Sequence, residues 1–203
     1  MTPRNSAAST PPPAGGPALS REVLERVRAR DAQALNDFFD AYFDRVYGLA
    51  HRLLGDTEAA EDATQDVFVK VYGAAHRLDP GRDPGPWITT ITYNVCRDVW
   101  RSRRHRMDRM TSSIDEHPGL VDAASHRGSD GVPEIIRKER EELVQEAILK
   151  LPEPLRAVVL LHDYHGMSHD QIAGVVGASH AAVRKRYSRA LSRLGELLKG
   201  VLS

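Results

Sequence analysis

The 203-residue sequence predicts an all-α protein of two small helical domains joined by a flexible linker. Three observations lead there. Apolar residues recur at three- and four-residue spacing, and no stretch shows strand-like alternation. Apolar residues make up 41% of the chain and aromatics 6%, which suits small cores filled by Leu, Ala and Val. The helical pattern lapses between Met107 and Pro133, where Ser, Gly, Asp, His and two prolines follow no period.

Residues 1–18 are rich in Pro, Ala, Ser and Gly and read as a disordered tail, with too little apolar surface to offset ordering. They hold no apolar segment of the secretory kind, and no run approaches the roughly 18 apolar residues that span a bilayer. A cytoplasmic protein with no membrane insertion is the expectation.

The first helical domain is expected over 19–106. Leu35, Phe38, Phe39, Tyr42, Val46, Leu49 and Leu53 mark one amphipathic helix. Gly55-Asp56-Thr57 ends it and starts the next, with Gly as C-cap and Asp or Thr as N-cap. The helix from about Glu58 to His76 has opposed faces: Ala60, Ala63, Val67 and Val71 against Glu58, Glu61, Asp62, Gln65 and Asp66. A turn-rich stretch from Leu78 to Pro86 follows. Trp87 opens a third helix with core stripe Ile88, Ile91, Val95 and Val99. Its other side carries Tyr93, Arg97, Trp100, Arg101 and Arg104, aromatics among arginines, as stacking on single-stranded or distorted nucleic acid requires. The competing reading puts Trp87 in the core and Trp100 under neighbouring helices.

Residues 107–133 are the expected linker and 134–203 the second helical domain. Leu143, Ala147, Ile148 and Leu151 line one helix, Pro152 and Pro154 end it, and Leu155, Val158, Val159 and Leu161 begin another. Ser168 is placed to cap a short helix, Gly177 to take a left-handed turn, and Ser179 to cap a longer basic helix, which together spell a helix-turn-helix. Projection turns Val183, Tyr187, Ala190, Leu191 and Leu194 inward. Ala181, Lys185, Ser188, Arg189 and Ser192 point outward, with Arg184 and Arg186 on the flanks, able to approach bases and phosphates.

Formal charge cancels, 28 basic residues against 28 acidic, but the charges are segregated. Arg97–Arg109 holds six arginines against two acids, and Arg184–Lys199 six basic residues against one. Enzymatic readings are weaker. The single cysteine, Cys96, excludes an internal disulfide and a Cys-based zinc site. The acidic stripe diverges along one helix, and His162, His165 and His169 cross a helix end without carboxylate support. Asp163 lacks a triad arrangement. No catalytic group, metal or cofactor is expected.

Ala59–Phe68 resembles region 2.2 of the bacterial sigma-70 family, in its extracytoplasmic-function (ECF) group. Pro86–Arg104 is similar to regions 2.3 and 2.4, Leu151–Ser168 to region 4.1, and the helix-turn-helix to region 4.2. The resemblance covers about 19–106 and 134–198. It implies that Glu61, Asp62, Gln65, Asp66 and Phe68 meet the β′ clamp helices of core RNA polymerase. It implies that loop 79–86 receives a flipped −10 base, and that Asn94, Arg97, Trp100, Arg101 and Arg104 bind the −10 element of promoter DNA. Arg184, Lys185, Arg186, Ser188 and Arg189 would bind the −35 element, with Arg186 on phosphate, and 151–156 would face the β flap. The linker would thread the polymerase cleft, its Asp115, Glu116 and Asp122 mimicking nucleic acid, and an anti-sigma factor is implied as a partner. Two features depart from the family pattern. His180–Arg186 stands where the family often has Gly-Thr-Val-(Lys/Arg)-Ser-Arg, so −35 preference does not transfer, and Pro80, Pro84 and Pro86 stiffen the specificity loop. A non-sigma helix-turn-helix regulator, and a metal-dependent enzyme using Glu61, Asp62, Asp66 and the histidines, are the alternatives.

Overall fold

A computed structural model describes residues 19–111 and 132–199. The expected tail and the linker core, with Asp115, Glu116 and Asp122, lie outside the described residues. Every element found is helical.

In the first block, α1 (Arg21–Arg28) is capped by the Ser20 hydroxyl, which accepts from Val23 N. Asp31 Oδ1 caps α2 (Ala32–Leu54), accepting from Ala34 N at 2.9 Å. Gly55 ends α2 in the left-handed conformation at φ 68°, where a side chain would be strained. Asp56 then caps α3 (Thr57–Ala74), accepting from Ala59 N at 2.7 Å. Loop 79–84 is braced by its own carboxylates: Asp79 Oδ1 accepts from Gly81 N and Asp83 Oδ1 from Gly85 N. Helix α4 (Gly85–Thr111) runs past the expected boundary at Arg106, because nothing between Met107 and Thr111 breaks a helix.

Phe38, Tyr42, Val46, Leu49 and Leu53 of α2 meet Ala60, Ala63, Val67 and Val71 of α3 and Ile88 and Val95 of α4 in one core. Phe39 is the exception to the α2 stripe, at 39% exposed. Helix α4 departs further from expectation, its buried face being wider than the expected stripe: Thr89, Thr92, Tyr93, Cys96 and Trp100 are buried along with Ile88 and Val95.

The second block contains α5 (Val132–Leu149), α6 (Glu153–Val159), α7 (His169–Val176) and α8 (His180–Lys199). Pro152 stands at the N-cap of α6, whose end widens into a π-turn over Leu160–Tyr164. Ser168 and Gln171 form a complete capping box on α7, Gly177 adopts φ 65°, and the Ser179 hydroxyl accepts from Ala182 N. The punctuation read from the sequence is thus present as hydrogen bonds.

The two blocks share an apolar cluster that includes Leu53, Trp100, Ile148, Leu160 and Ile172. Arg156 bridges them. Its Nη1 donates to Leu53 O at 2.6 Å, at the end of α2, and its Nη2 donates to Leu149 O and Leu151 O, at and just past the end of α5. Helix ends leave carbonyls without partners and carry partial negative charge, so one guanidinium satisfies two of them. The Arg52 guanidinium lies over the Tyr164 ring, 5.1 Å from its centroid.

His165 is buried in this region at 5% exposed. Burial, then the nearby charges of Arg45 and Arg52, push its imidazole down to about 3. The native state therefore excludes a proton that the unfolded chain takes up near pH 6.5. The contribution of neutral His165 is fully present above pH 6.5 and is lost as pH falls toward 3. Urea unfolding over a pH series should show stability falling below pH 6.5, with His165 adding up to about 1.4 kcal/mol per pH unit. His165→Leu should flatten that slope; an unchanged slope would mean His165 is not the group responsible.

Candidate polymerase and nucleic-acid interfaces

Helix α3 presents one chemical face. Glu61, Asp62, Gln65 and Asp66 are all exposed, because the opposite stripe of Ala60, Ala63, Thr64 and Val67 is fixed in the core. Phe68 is half-buried, its ring 4.5 Å from that of Phe39 on α2. Sequence reasoning missed what adjoins this face. Phe39, Phe43 and Tyr47 form a ladder along α2, with ring centroids 5.3 and 6.0 Å apart, and Tyr72 and Val69 of α3 are 53% and 70% exposed. The four-residue spacing of the ladder was the available signal, but Phe39 was absorbed into the core stripe. The result is an acidic surface beside an apolar, aromatic one.

The expected −10 residues divide into two groups. Arg101 and Arg104 are exposed and Asn94 half-buried, whereas Trp100 is 5% exposed and Arg97 is half-buried with its Nε unpartnered. Trp100 packs edge-on to Tyr93 at 6.4 Å, and the Arg97 guanidinium lies 6.0 Å from the Tyr93 ring centroid. Arg104 Nη2 reaches Glu153 of α6 at 2.9 Å. Trp100 thus lies beneath its neighbours, as the competing reading had it.

On α8, Val183 and Ala190 are fully buried and Tyr187 and Leu194 partly so, while Leu191 is 45% exposed and does not join the core. Arg184, Lys185, Ser188 and Arg189 are exposed and Arg186 is half-buried. The rotation of the helix is locked by Tyr187, whose hydroxyl donates to Asp163 Oδ1 at 2.8 Å and whose ring meets those of His162 and His169 at 4.7 and 5.3 Å. In 151–156, Leu151 is buried and Arg156 is turned inward, leaving Pro152 and Pro154 exposed at the surface.

The histidines stack instead of converging. The His162 and His169 rings lie 4.6 Å apart, nearly parallel, and His162 Nδ1 is within 2.8 Å of Met167 O. Among the described residues no three His, Cys, Asp or Glu side chains are grouped to hold a metal ion. Burial pushes the Cys96 thiol up to about 12, so it is a core residue and not a nucleophile at neutral pH.

A capped helix-turn-helix with a basic outer face, beside a three-helix core carrying an acidic face, defines a helical transcription factor. Comparison with known proteins makes this specific. Residues 38–106 match the family model for sigma-70 region 2, and residues 141–194 that for sigma-70 region 4. The chain is 31% identical over 175 residues to the RNA polymerase sigma factor CarQ of Myxococcus xanthus, covering 86% of this chain and 95% of CarQ. It is 29% identical over 185 residues to the ECF RNA polymerase sigma factor SigW of Bacillus subtilis, covering 89% and 97%. Its fold resembles that of the sigma factor RpoE of Bartonella quintana, solved in complex with the anti-sigma factor NepR, with TM-score 0.58 and 23% identity over 80% of this chain and 97% of that one. The chain belongs to the sigma-70 family, in its ECF group. It is a sigma factor that directs transcription initiation. A non-sigma regulator would leave the match over 38–106 without a purpose.

Proposed function

We propose that this sigma factor docks on core RNA polymerase through the acidic face of α3, engages the −10 element with loop 79–84 and α4, whose first residues Gly85 and Pro86 complete the expected 79–86 segment, and reads the −35 element with α8. In this reading Glu61, Asp62, Gln65, Asp66 and Phe68 meet the β′ clamp helices, and the exposed edge of 151–156 faces the β flap. The exposed Phe39–Tyr72 strip extends the α3 docking face. The chain acts as an initiation factor without catalysis of its own and works in the cytoplasm. Among the described residues no helix is long and apolar enough to cross a membrane. An anti-sigma factor is its restraining partner, as NepR is found with RpoE.

The observation that carries the reading is the face of α8. With Val183 and Ala190 fixed in the core, Lys185, Ser188 and Arg189 stand clear on the opposite side, positioned by a capped turn. Run-off transcription with core polymerase on a promoter library tests it directly: promoter-specific transcripts are expected, and their absence would overturn the proposal.

The same geometry orders the basic residues. Lys185 and Arg189 reach furthest from the core, whereas half-buried Arg186 lies at the edge, where the DNA backbone would run. Losing a base-reading contact costs about 1–3 kcal/mol and relaxes choice at one position, while losing a phosphate contact weakens all sequences alike. Lys185→Ala and Arg189→Ala should change which −35 sequences are used. Arg186→Ala should lower binding to every sequence and reduce the salt slope by about one. Promoter-library profiles of the three variants check this, and the reverse pattern would mean α8 docks in another rotation.

A further inference from the structure

Arg45 is a charged residue inside an apolar stripe. It stands on the inner face of α2, between the buried Tyr42 and Leu49, and is itself only 4% exposed. Its Nε donates to Thr89 Oγ1 of α4 at 3.3 Å, while its Nη1 is buried without a partner among the described residues. The Tyr42 hydroxyl, on the same stripe, is likewise buried and without such a partner. Asp83 of loop 79–84 is the carboxylate whose charge reaches both groups. Burial pushes the Arg45 guanidinium below its usual range and Asp83 opposes that push; burial, then Asp83, raises the Tyr42 hydroxyl to about 12. Asp83 is exposed, and its Oδ1 accepts from Gly85 N at 2.8 Å. Pro84 O accepts from Ile88 N at 2.9 Å, so the loop closes directly onto the first turn of α4, next to Thr89.

We propose that Arg45, too deeply buried to meet DNA itself, is the positioning residue for loop 79–84, holding Asp83 by charge and so fixing the shape in which the loop receives a −10 base. The inference rests on the −10 role proposed above for that loop.

A guanidinium kept only to fasten α2 to α4 would be a poor choice. Burying a charge is costly, and one bond to a neutral hydroxyl offsets little of that cost. An apolar side chain of similar length would fill the position without it. What the arginine adds is a field. In poorly solvated surroundings the attraction between unlike charges acts beyond contact distance, so the buried cation favours loop shapes that keep Asp83 near it. His165, held neutral at neutral pH, supplies Arg45 with no counter-charge. Pro80 and Pro84 fix φ at two points and leave the loop few shapes to choose among. Asp83 in turn sets the start of α4, packing so closely on Gly85 that a Cβ there would lie 3.1 Å from both carboxylate oxygens.

Run-off transcription by the full chain with core polymerase tests this on two promoter libraries, one varied in the −10 element and one in the −35 element. Arg45→Gln keeps a donor for Thr89 but loses the charge. Asp83→Asn keeps an acceptor for Gly85 N but loses the charge. Both should shift −10 preference in the same direction, by about tenfold at one position, and leave −35 preference alone. The double variant should shift no further than either single one, since both remove the same interaction. Arg45→Lys, which keeps the cation, should retain most of the original preference. Helical circular dichroism checks folding, and Arg45→Met takes the place of Arg45→Gln should the latter not fold. An unchanged −10 preference on loss of the Arg45 charge, even with a uniform loss of transcription, would reduce Arg45 to a core residue and overturn the proposal. Additive shifts in the double variant would overturn it too. Pro80→Gly combined with Arg82→Gly separates this inference from the loop reading. If that pair alters −10 choice and Arg45→Gln does not, only the role of Arg45 fails. If neither alters it, the −10 role of the loop fails as well.

Discussion

Arg156→Ala should destabilise the second helical block by about 3 kcal/mol, the largest loss expected from any single side chain outside the apolar core. The half-buried guanidinium serves carbonyls of Leu53, Leu149 and Leu151, and truncation leaves these acceptors without their donor where water enters poorly. Hydrogen bonds to a charged group contribute about 1.5–3 kcal/mol each, but the acceptors relax partly toward solvent, so the losses do not simply add. Arg156→Lys should recover only part of the loss, because a single ammonium cannot reproduce the fork that reaches three carbonyls. Urea unfolding of the full chain checks both. A loss below about 1 kcal/mol for alanine would mean that the helix ends are satisfied by water instead.

Charge reversal on α3 carries the second large effect, on binding instead of stability. Asp62→Arg and Asp66→Arg should each weaken association with core polymerase by about 2–5 kcal/mol, since the proposed docking sets each carboxylate against a basic partner and the variant puts a repelling cation there. Both residues are exposed and point away from Ala60, Ala63 and Val67, so melting should stay close to that of the unmodified chain. Phe68→Ala tests the neighbouring apolar part, where its ring packs on Phe39. Titration of labelled core polymerase reads all three. Unchanged affinity for both reversals would remove the acidic face from the docking surface.

The sequence by itself determined what depends on near neighbours in the chain. Gly55, Asp56, Ser168, Gly177 and Ser179 act within one turn of their own positions, so helix ends and the helix-turn-helix were legible before any tertiary contact was known. The α3 stripe was legible for the same reason, since one periodic face met one periodic core. Only the tertiary structure decided where a helix has neighbours on two sides. Helix α4 packs on α2 and α3 with one face and under the second block with another, so Tyr93 and Trp100, which periodicity assigned to an outward face, are buried. The same cause buried His165 within reach of the charges of Arg45 and Arg52, and put Arg156 across the ends of α2 and α5. It also left Phe39 and Leu191 exposed, although both fit their helices' apolar stripes. Periodicity reports which side of a helix is apolar. Which sides are covered depends on contacts between residues far apart in the chain, such as Arg156 and Leu53, and no local pattern encodes them.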